Sequence, residues 1–217
     1  ESFIFFRPKD VVSGDLYWAA EIDDIKLIAV IDCTGHGVPG AFMSMIATTL
    51  LNSIVVDQHE FSPSVILSKM NNALYDIFIK YNDGEAFTDG IDMSLCVFDL
   101  KNSKLNYSGA VHDIYMTRSG HMQLIKGSSS SIGGISFRNK IKIEKAYEEH
   151  IIDINKGDQF YLFTDGYIDQ FGGPHFRKLN VSRFKKIISE FSDRSNEEQI
   201  KDLDTNFDNW KGDNPQT

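Results

Sequence analysis

Apolar residues recur along this chain in two rhythms. Short runs rich in β-branched and aromatic residues, bounded by turn residues, predict strands at 25–31 (IKLIAVI), 93–100 (MSLCVFDL), 104–109, 114–118, 121–125, 150–154 and 159–164. Asn102-Ser103 and Ser119-Gly120 supply hairpin turns, and a further short strand follows Asp15. The unbroken run at 25–31 predicts a strand covered on both faces. A helical period takes over after Gly37-Val38-Pro39-Gly40 and sets Phe42, Met45, Ile46, Thr49, Leu50 and Ser53 on one face. The apolar stretch 41–56 is interrupted by Ser44, Thr48, Thr49, Asn52 and Ser53, so it reads as a buried helix too short to span a bilayer. A second helix has Ser62 as N-cap and Pro63 in its first turn, with Ile66, Met70, Ala73, Leu74, Ile77 and Phe78 as its stripe. A third covers 181–191. A fourth starts at the capping box Ser195-Asn196-Glu197-Glu198 and carries Ile200, Leu203, Phe207 and Trp210. Two helices, a run of strands, then two helices predict one α+β domain with a β-sandwich-like core and helices packed outside.

Composition narrows the function. Hydrophobic residues make up 41% and charged residues 24% of the 217 positions, a globular balance that excludes disorder. The net charge of −9, with no Lys/Arg cluster longer than two, removes the electrostatic footprint of a nucleic-acid binder. Cys33 and Cys96 are too few for a disulfide framework and fit a reducing, cytoplasmic compartment. Glu1-Ser2-Phe3 lacks the basic start of a signal peptide, and no membrane contact by this domain is expected. An opening without Met and a polar close at Asn214-Pro215-Gln216-Thr217 suggest a domain cut from a longer protein.

Three carboxylates carry the candidate chemistry. Asp32 ends the run 25–31 and opens Asp32-Cys33-Thr34-Gly35-His36-Gly37; Asp165 closes 159–164 and precedes Gly166; Asp15 sits in Ser13-Gly14-Asp15-Leu16-Tyr17-Trp18. A carboxylate at the end of a buried strand is costly unless a partner neutralises it, and hard divalent cations prefer such oxygen donors. Taken singly, each is also an ordinary turn aspartate. A cysteine phosphatase would need arginine six positions after its cysteine, but Pro39 and Asn102 stand there, so Cys33 and Cys96 are not nucleophiles. His36 between two glycines reads as a turn-shaping histidine, with general acid as the competing role. His112 and Asp113 read as turn residues. Arg7 and Lys9 are either solvated charges or holders of a substrate phosphate, with Arg7 the phosphate-binding candidate.

The ordered set of motifs resembles the metal-dependent, protein phosphatase 2C-like family in its bacterial stage II sporulation protein E branch. The pieces are Pro8 through Trp18 with its Gly14-Asp15, Asp32 through Ala41, Gly90-Ile91-Asp92-Met93-Ser94-Leu95-Cys96, Ser108-Gly109-Ala110, Ser131-Ile132-Gly133-Gly134, and Phe163-Thr164-Asp165-Gly166-Tyr167-Ile168-Asp169. The resemblance implies an αββα sandwich and a site for two Mn²⁺ or Mg²⁺ ions. It implies Asp32 as the bridging carboxylate, Cys33 through its backbone carbonyl, Asp165 at the first metal, and Asp15 at the second metal or its water. These residues would serve a phosphoserine/phosphothreonine protein phosphatase acting through an activated water, the output of a bacterial signalling protein. A STAS-type anti-sigma-factor antagonist is the implied substrate, the 41–56 and 62–80 helices the implied seat of control. The family's Gln-Thr-Asp-Asp-Val segment, with its last metal carboxylate and final core strand, is missing after Asn214-Pro215-Gln216-Thr217. Partial or no metal occupancy and an unpaired sheet edge are therefore expected. The competing function is a catalytically inactive binding or scaffold domain of the same fold.

Overall fold

Strand pairing in the computed structural model, which describes residues 1–35, 37–81, 89–134 and 144–217, produces two main antiparallel sheets. The strands are β1 (Asp15–Ile22), β2 (Ile25–Cys33), β3 (Gly90–Asp99), β4 (Lys104–Ala110), β5 (Ile114–Arg118), β6 (His121–Ile125), β7 (Ile132–Gly133), β8 (Glu149–Asp153) and β9 (Gln159–Tyr161). The larger sheet runs β1-β2-β3-β4-β8, with β7 on the end of β3; the smaller runs β6-β5-β9. A short ribbon, β10 (Phe171–Gly172) with β11 (Arg177–Lys178), follows. Every strand expected from the apolar runs is present. β9, however, stops at Tyr161 rather than 164, and β3 begins three residues early at Gly90.

Alternation along the strands divides the side chains between two faces. Leu27, Ala29, Ile31 and Cys33 of β2 and Ile91, Met93, Leu95 and Val97 of β3 face α1 (Gly37–Leu51) and α2 (Pro63–Tyr81). Cys96, Leu105 and Tyr107 face the other way and meet Ile114 and Phe160 of the small sheet. The far face of that sheet, through Tyr115 and Tyr161, packs on α3 (Val181–Phe191) and α4 (Asn196–Lys211). The result is a four-layer αββα sandwich.

Both late helices begin as their sequences dictate. Asn180 accepts from the Arg183 amide, and Ser195 with Glu198 forms the expected reciprocal capping box. The first helix departs from expectation. Its buried positions are Gly40, Met43, Ala47 and Leu51, whereas Phe42 and Met45 of the expected stripe are exposed. Both faces are apolar, so a period alone cannot say which one is buried. The helix also continues through a π-helical turn, Asn52–Asp57, whose Asn52 accepts a 2.9 Å bond from Trp18 Nε1. The continuous segment Gly37–Asp57 spans 21 residues, long and apolar enough by composition to cross a membrane. This corrects the expectation of a stretch too short to do so; one face is nonetheless buried in the core.

Two methionines two positions apart test this face. Met43 is 5% exposed and Met45 65%. Met43→Ala is expected to cost about 2–5 kcal/mol, and Met45→Ala less than about 0.5 kcal/mol. Equilibrium denaturation of the two variants checks the difference; equal losses would contradict the assignment.

Candidate functional site

Antiparallel register assembles the site before any side-chain contact does. Asp15 of β1 is the direct partner of Asp32 of β2, and Asp32 is the direct partner of Asp92 of β3. All three share one strand parity, opposite to the residues that face α1 and α2. They therefore form a row of carboxylates across three neighbouring strands. Asp165 reaches the row from the segment after β9. Thr164 Oγ1 donates to Asp15 Oδ2 at 2.7 Å, and a Cβ placed on Gly166 would lie 3.5 Å from that same oxygen. Asp15, Asp32 and Asp165, the three sequence candidates, are thus brought together. Asp92 joins them without having been singled out, because the sequence reading starts that strand at Met93 and only strand register sets Asp92 beside Asp32.

The surrounding turns are held by close backbone packing. A Cβ on Gly14 would come 2.7 Å from the carbonyl oxygens of both Cys33 and Gly35, and one on Gly40 would come 2.4 Å from the latter. Only glycine permits this approach of β1, the turn after β2 and the start of α1. Ser44 Oγ lies within 3.1 Å of the Ser13, Gly14 and Gly40 carbonyls. Thr34 binds Gly90 three times: its amide and hydroxyl donate to the Gly90 carbonyl, and its Oγ1 accepts from the Gly90 amide. The turn after Asp32 is in this way clamped to the strand that carries Asp92.

The electrostatics follow from the crowding. Burial, then the charges of Asp15, Asp165 and Asp92, push Asp32 up to about 8. Asp165 is also raised, by burial and then by Asp169 and Asp15, with His112 and Lys178 opposing. Among the described residues, none of Asp15, Asp32, Asp92 and Asp165 forms an ion pair with lysine or arginine. Nor do three or more His, Cys, Asp or Glu side chains close into a ready-made metal cage among those residues. The donor set is all oxygen and, among the described residues, has no lysine or arginine paired to it. It suits a hard divalent cation that keeps part of its water shell.

The other candidates are placed as follows. The Cys33 side chain is buried in the helix-facing core, and burial pushes its thiol up to about 12, which removes it as a nucleophile at neutral pH. Arg7 makes ion pairs of 3.0 Å with Asp204 and 2.8 Å with Asp208 and lies over the Phe207 ring. Its guanidinium is committed to α4, so the phosphate-holding role expected of it finds no support. His36 lies outside the described residues. Asp113 is the turn residue expected, its Oδ1 accepting from the Gly127 amide at 2.9 Å. His112 is more than a turn residue: it is half-buried and feels the charges of Asp92, Asp165 and Asp15. The half-buried Lys145 ammonium, overlooked in the sequence, donates to the Ser131 and Gly133 carbonyls and is also influenced by Asp92. Two surface concavities, of about 280 and 660 Å³, are lined by none of the four carboxylates.

Known proteins fit this architecture. The family model for stage II sporulation protein E (SpoIIE) matches residues 24–216. The SiaA-PP2C domain of Pseudomonas aeruginosa superposes with a TM-score of 0.86 at 29% identity, over 99% of this chain and 80% of that one. The PP2C phosphatase domain of SpoIIE from Bacillus subtilis, with a fragment of its regulatory domain, gives 0.71 at 16% identity over 95% of this chain and 56% of that one. RsbX in complex with magnesium gives 0.61 at 15% identity over 93% of this chain and 81% of that one. No curated protein sequence matches. The αββα layering, the matched span and the carboxylate row at the sheet end converge on one conclusion: the chain belongs to the stage II sporulation protein E family and has the fold of its PP2C-like phosphatase domains.

Proposed function

We propose that this domain is a divalent-cation-dependent phosphoserine/phosphothreonine protein phosphatase and the output unit of a bacterial signalling protein. The carboxylate row carries the proposal, because four acidic side chains share one sheet end and none of them is paired with a lysine or arginine among the described residues. The fold family and the magnesium complex of RsbX support the same reading. Asp15, Asp32 and Asp165 would hold two Mg²⁺ or Mn²⁺ ions, with the Cys33 carbonyl as a further oxygen donor and Asp92 extending the row. When bound, such ions acidify a water and neutralise phosphoryl oxygens. The protein's own contribution is to fix the donors. The β1–β2–β3 register sets their spacing, Thr164 orients Asp15, and the Thr34–Gly90 clamp holds the turn after Asp32. A STAS-type anti-sigma-factor antagonist is the substrate class proposed.

Hydrolysis of p-nitrophenyl phosphate with and without Mn²⁺ tests the reading. Asp32→Asn is expected to lower kcat by about a hundredfold or more, the scale of losing one charge-stabilising group. Cys33→Ala is expected to retain most activity. An Asp32→Asn enzyme as active as wild type would contradict the assignment. A well-folded wild type inert with every divalent cation would favour the scaffold role instead.

Stability against pH supplies a second test. The folded value for Asp32, about 8, lies above its ordinary 3.8. Protonated Asp32 therefore stabilises the fold at low pH, and this contribution is lost as pH rises from about 4 to about 8. In divalent-free buffer the wild type should lose Tm relative to Asp32→Asn between pH 6 and 8.5, and added Mg²⁺ should suppress the loss. Parallel curves for the two proteins would contradict the assigned strain.

A further inference from the structure

The link between β4 and β5 adopts a conformation that its sequence resists. Val111 is β-branched yet has φ of 66°, in the left-handed region that such residues avoid. The His112 amide donates to the Ala110 carbonyl at 2.8 Å, closing a three-residue turn of the rare, strained kind with Val111 at its centre. Neighbouring groups over-determine this turn. The Val111 amide donates to the Ser128 carbonyl at 2.7 Å, the Ser128 amide donates to the Gly109 carbonyl at 2.8 Å, and Tyr107 OH donates to the His112 carbonyl at 2.6 Å. A Cβ on either Gly109 or Gly127 would come 2.2 Å from the His112 carbonyl oxygen, so only glycines fit around it.

What the strained turn achieves is the aim of one imidazole. His112 lies near enough to Asp92, Asp165 and Asp15 for all three charges to act on it, and its ring also meets the backbone of Val30. Nδ1 is buried without a hydrogen-bond partner among the described residues. A second orphan among the described residues lies on the carboxylate face of the sheet. Ser94 is fully buried, its Oγ has no partner, and it is the register partner of that same Val30, on the strand face that carries Asp92. Buried polar atoms are almost always satisfied, and a water is the usual partner where the protein offers none. Strain of this kind persists where the surroundings enforce it and the site uses it.

We propose that His112 is a positioning residue of the phosphatase site, its Nδ1 accepting a hydrogen bond from a water held between the ring and the carboxylate row, with Ser94 Oγ completing the water's partners. The proposal rests on the phosphatase reading above and adds to it the group that orients the reacting water. A ring that accepts at Nδ1 carries its proton on Nε2, and that is the tautomer the proposal requires.

The experiment compares His112→Ala, His112→Asn and Val111→Gly in the same chain. His112→Ala should lower kcat by about 10–100-fold, the usual cost of losing a group that orients a metal site from outside it, with KM changed less than about threefold. His112→Asn, whose Oδ1 stands near the position of Nδ1, should recover most of the loss. Val111→Gly relieves the positive φ and should keep or raise Tm while lowering kcat, because the ring loses its fixed aim. An active His112→Ala beside an inert Asp32→Asn would overturn the role of His112 and leave the phosphatase reading standing. Losses that are equal in His112→Ala and His112→Asn and that track Tm would reduce His112 to a structural residue. Imidazole-selective ¹⁵N spectra of the divalent-free protein decide the geometry independently of turnover. A neutral ring protonated at Nε2 with a hydrogen-bonded Nδ1 is expected, and a ring protonated at Nδ1 would overturn the proposal.

Discussion

Mutual repulsion among carboxylates on neighbouring strands is the constraint around which this fold is organised. Asp15, Asp32 and Asp92 are adjacent because β1, β2 and β3 pair in one register. That register is fixed from the opposite face, where Ile31, Cys33, Met93 and Leu95 are buried under the helices. A slip of one residue would carry the acids into that apolar core and the core residues out of it. Hydrophobic burial on one side of the sheet thus enforces the electrostatic cost on the other. Burial first, and then the charges of Asp15, Asp165 and Asp92, raise Asp32.

The second sheet and the late helices complete the same arrangement. Thr164 ties the segment after β9 to Asp15 across 149 residues of sequence, and Asp165 follows directly. Tyr167, two residues further on, anchors that segment to the late-helix core through contacts with Phe184 and Phe207 and a 3.0 Å bond from its OH to the Leu203 carbonyl. The position of Asp165 therefore depends on α3 and α4 packing correctly.

Much of this was legible in the sequence because its signals were local. Short apolar runs located the strands, Ser195 and Glu198 located a helix start, and aspartates at strand ends beside glycine-bearing turns marked three members of the row. What escaped was encoded elsewhere. The buried face of α1 was misread because Phe42 and Met45 are as apolar as Met43 and Leu51, so amphipathicity carries no direction. Asp92 is recognisable only through strand register. Arg7 looked free because its partner Asp204 lies 197 residues away. His112 looked like a turn residue because its signal is a backbone angle at Val111, which composition does not reveal.

The central claim, that the strained acidic row is a divalent-cation site, is tested most directly by proton release on metal binding. Titration calorimetry with Mn²⁺ near pH 7, in buffers of different ionisation enthalpy, measures how many protons leave as the ion binds. Asp32, raised to about 8, is largely protonated at that pH in the metal-free protein and must ionise to act as a ligand. The account predicts saturable binding accompanied by release of close to one proton, lost in Asp32→Asn. No binding, or binding with the same heat in every buffer, would contradict it.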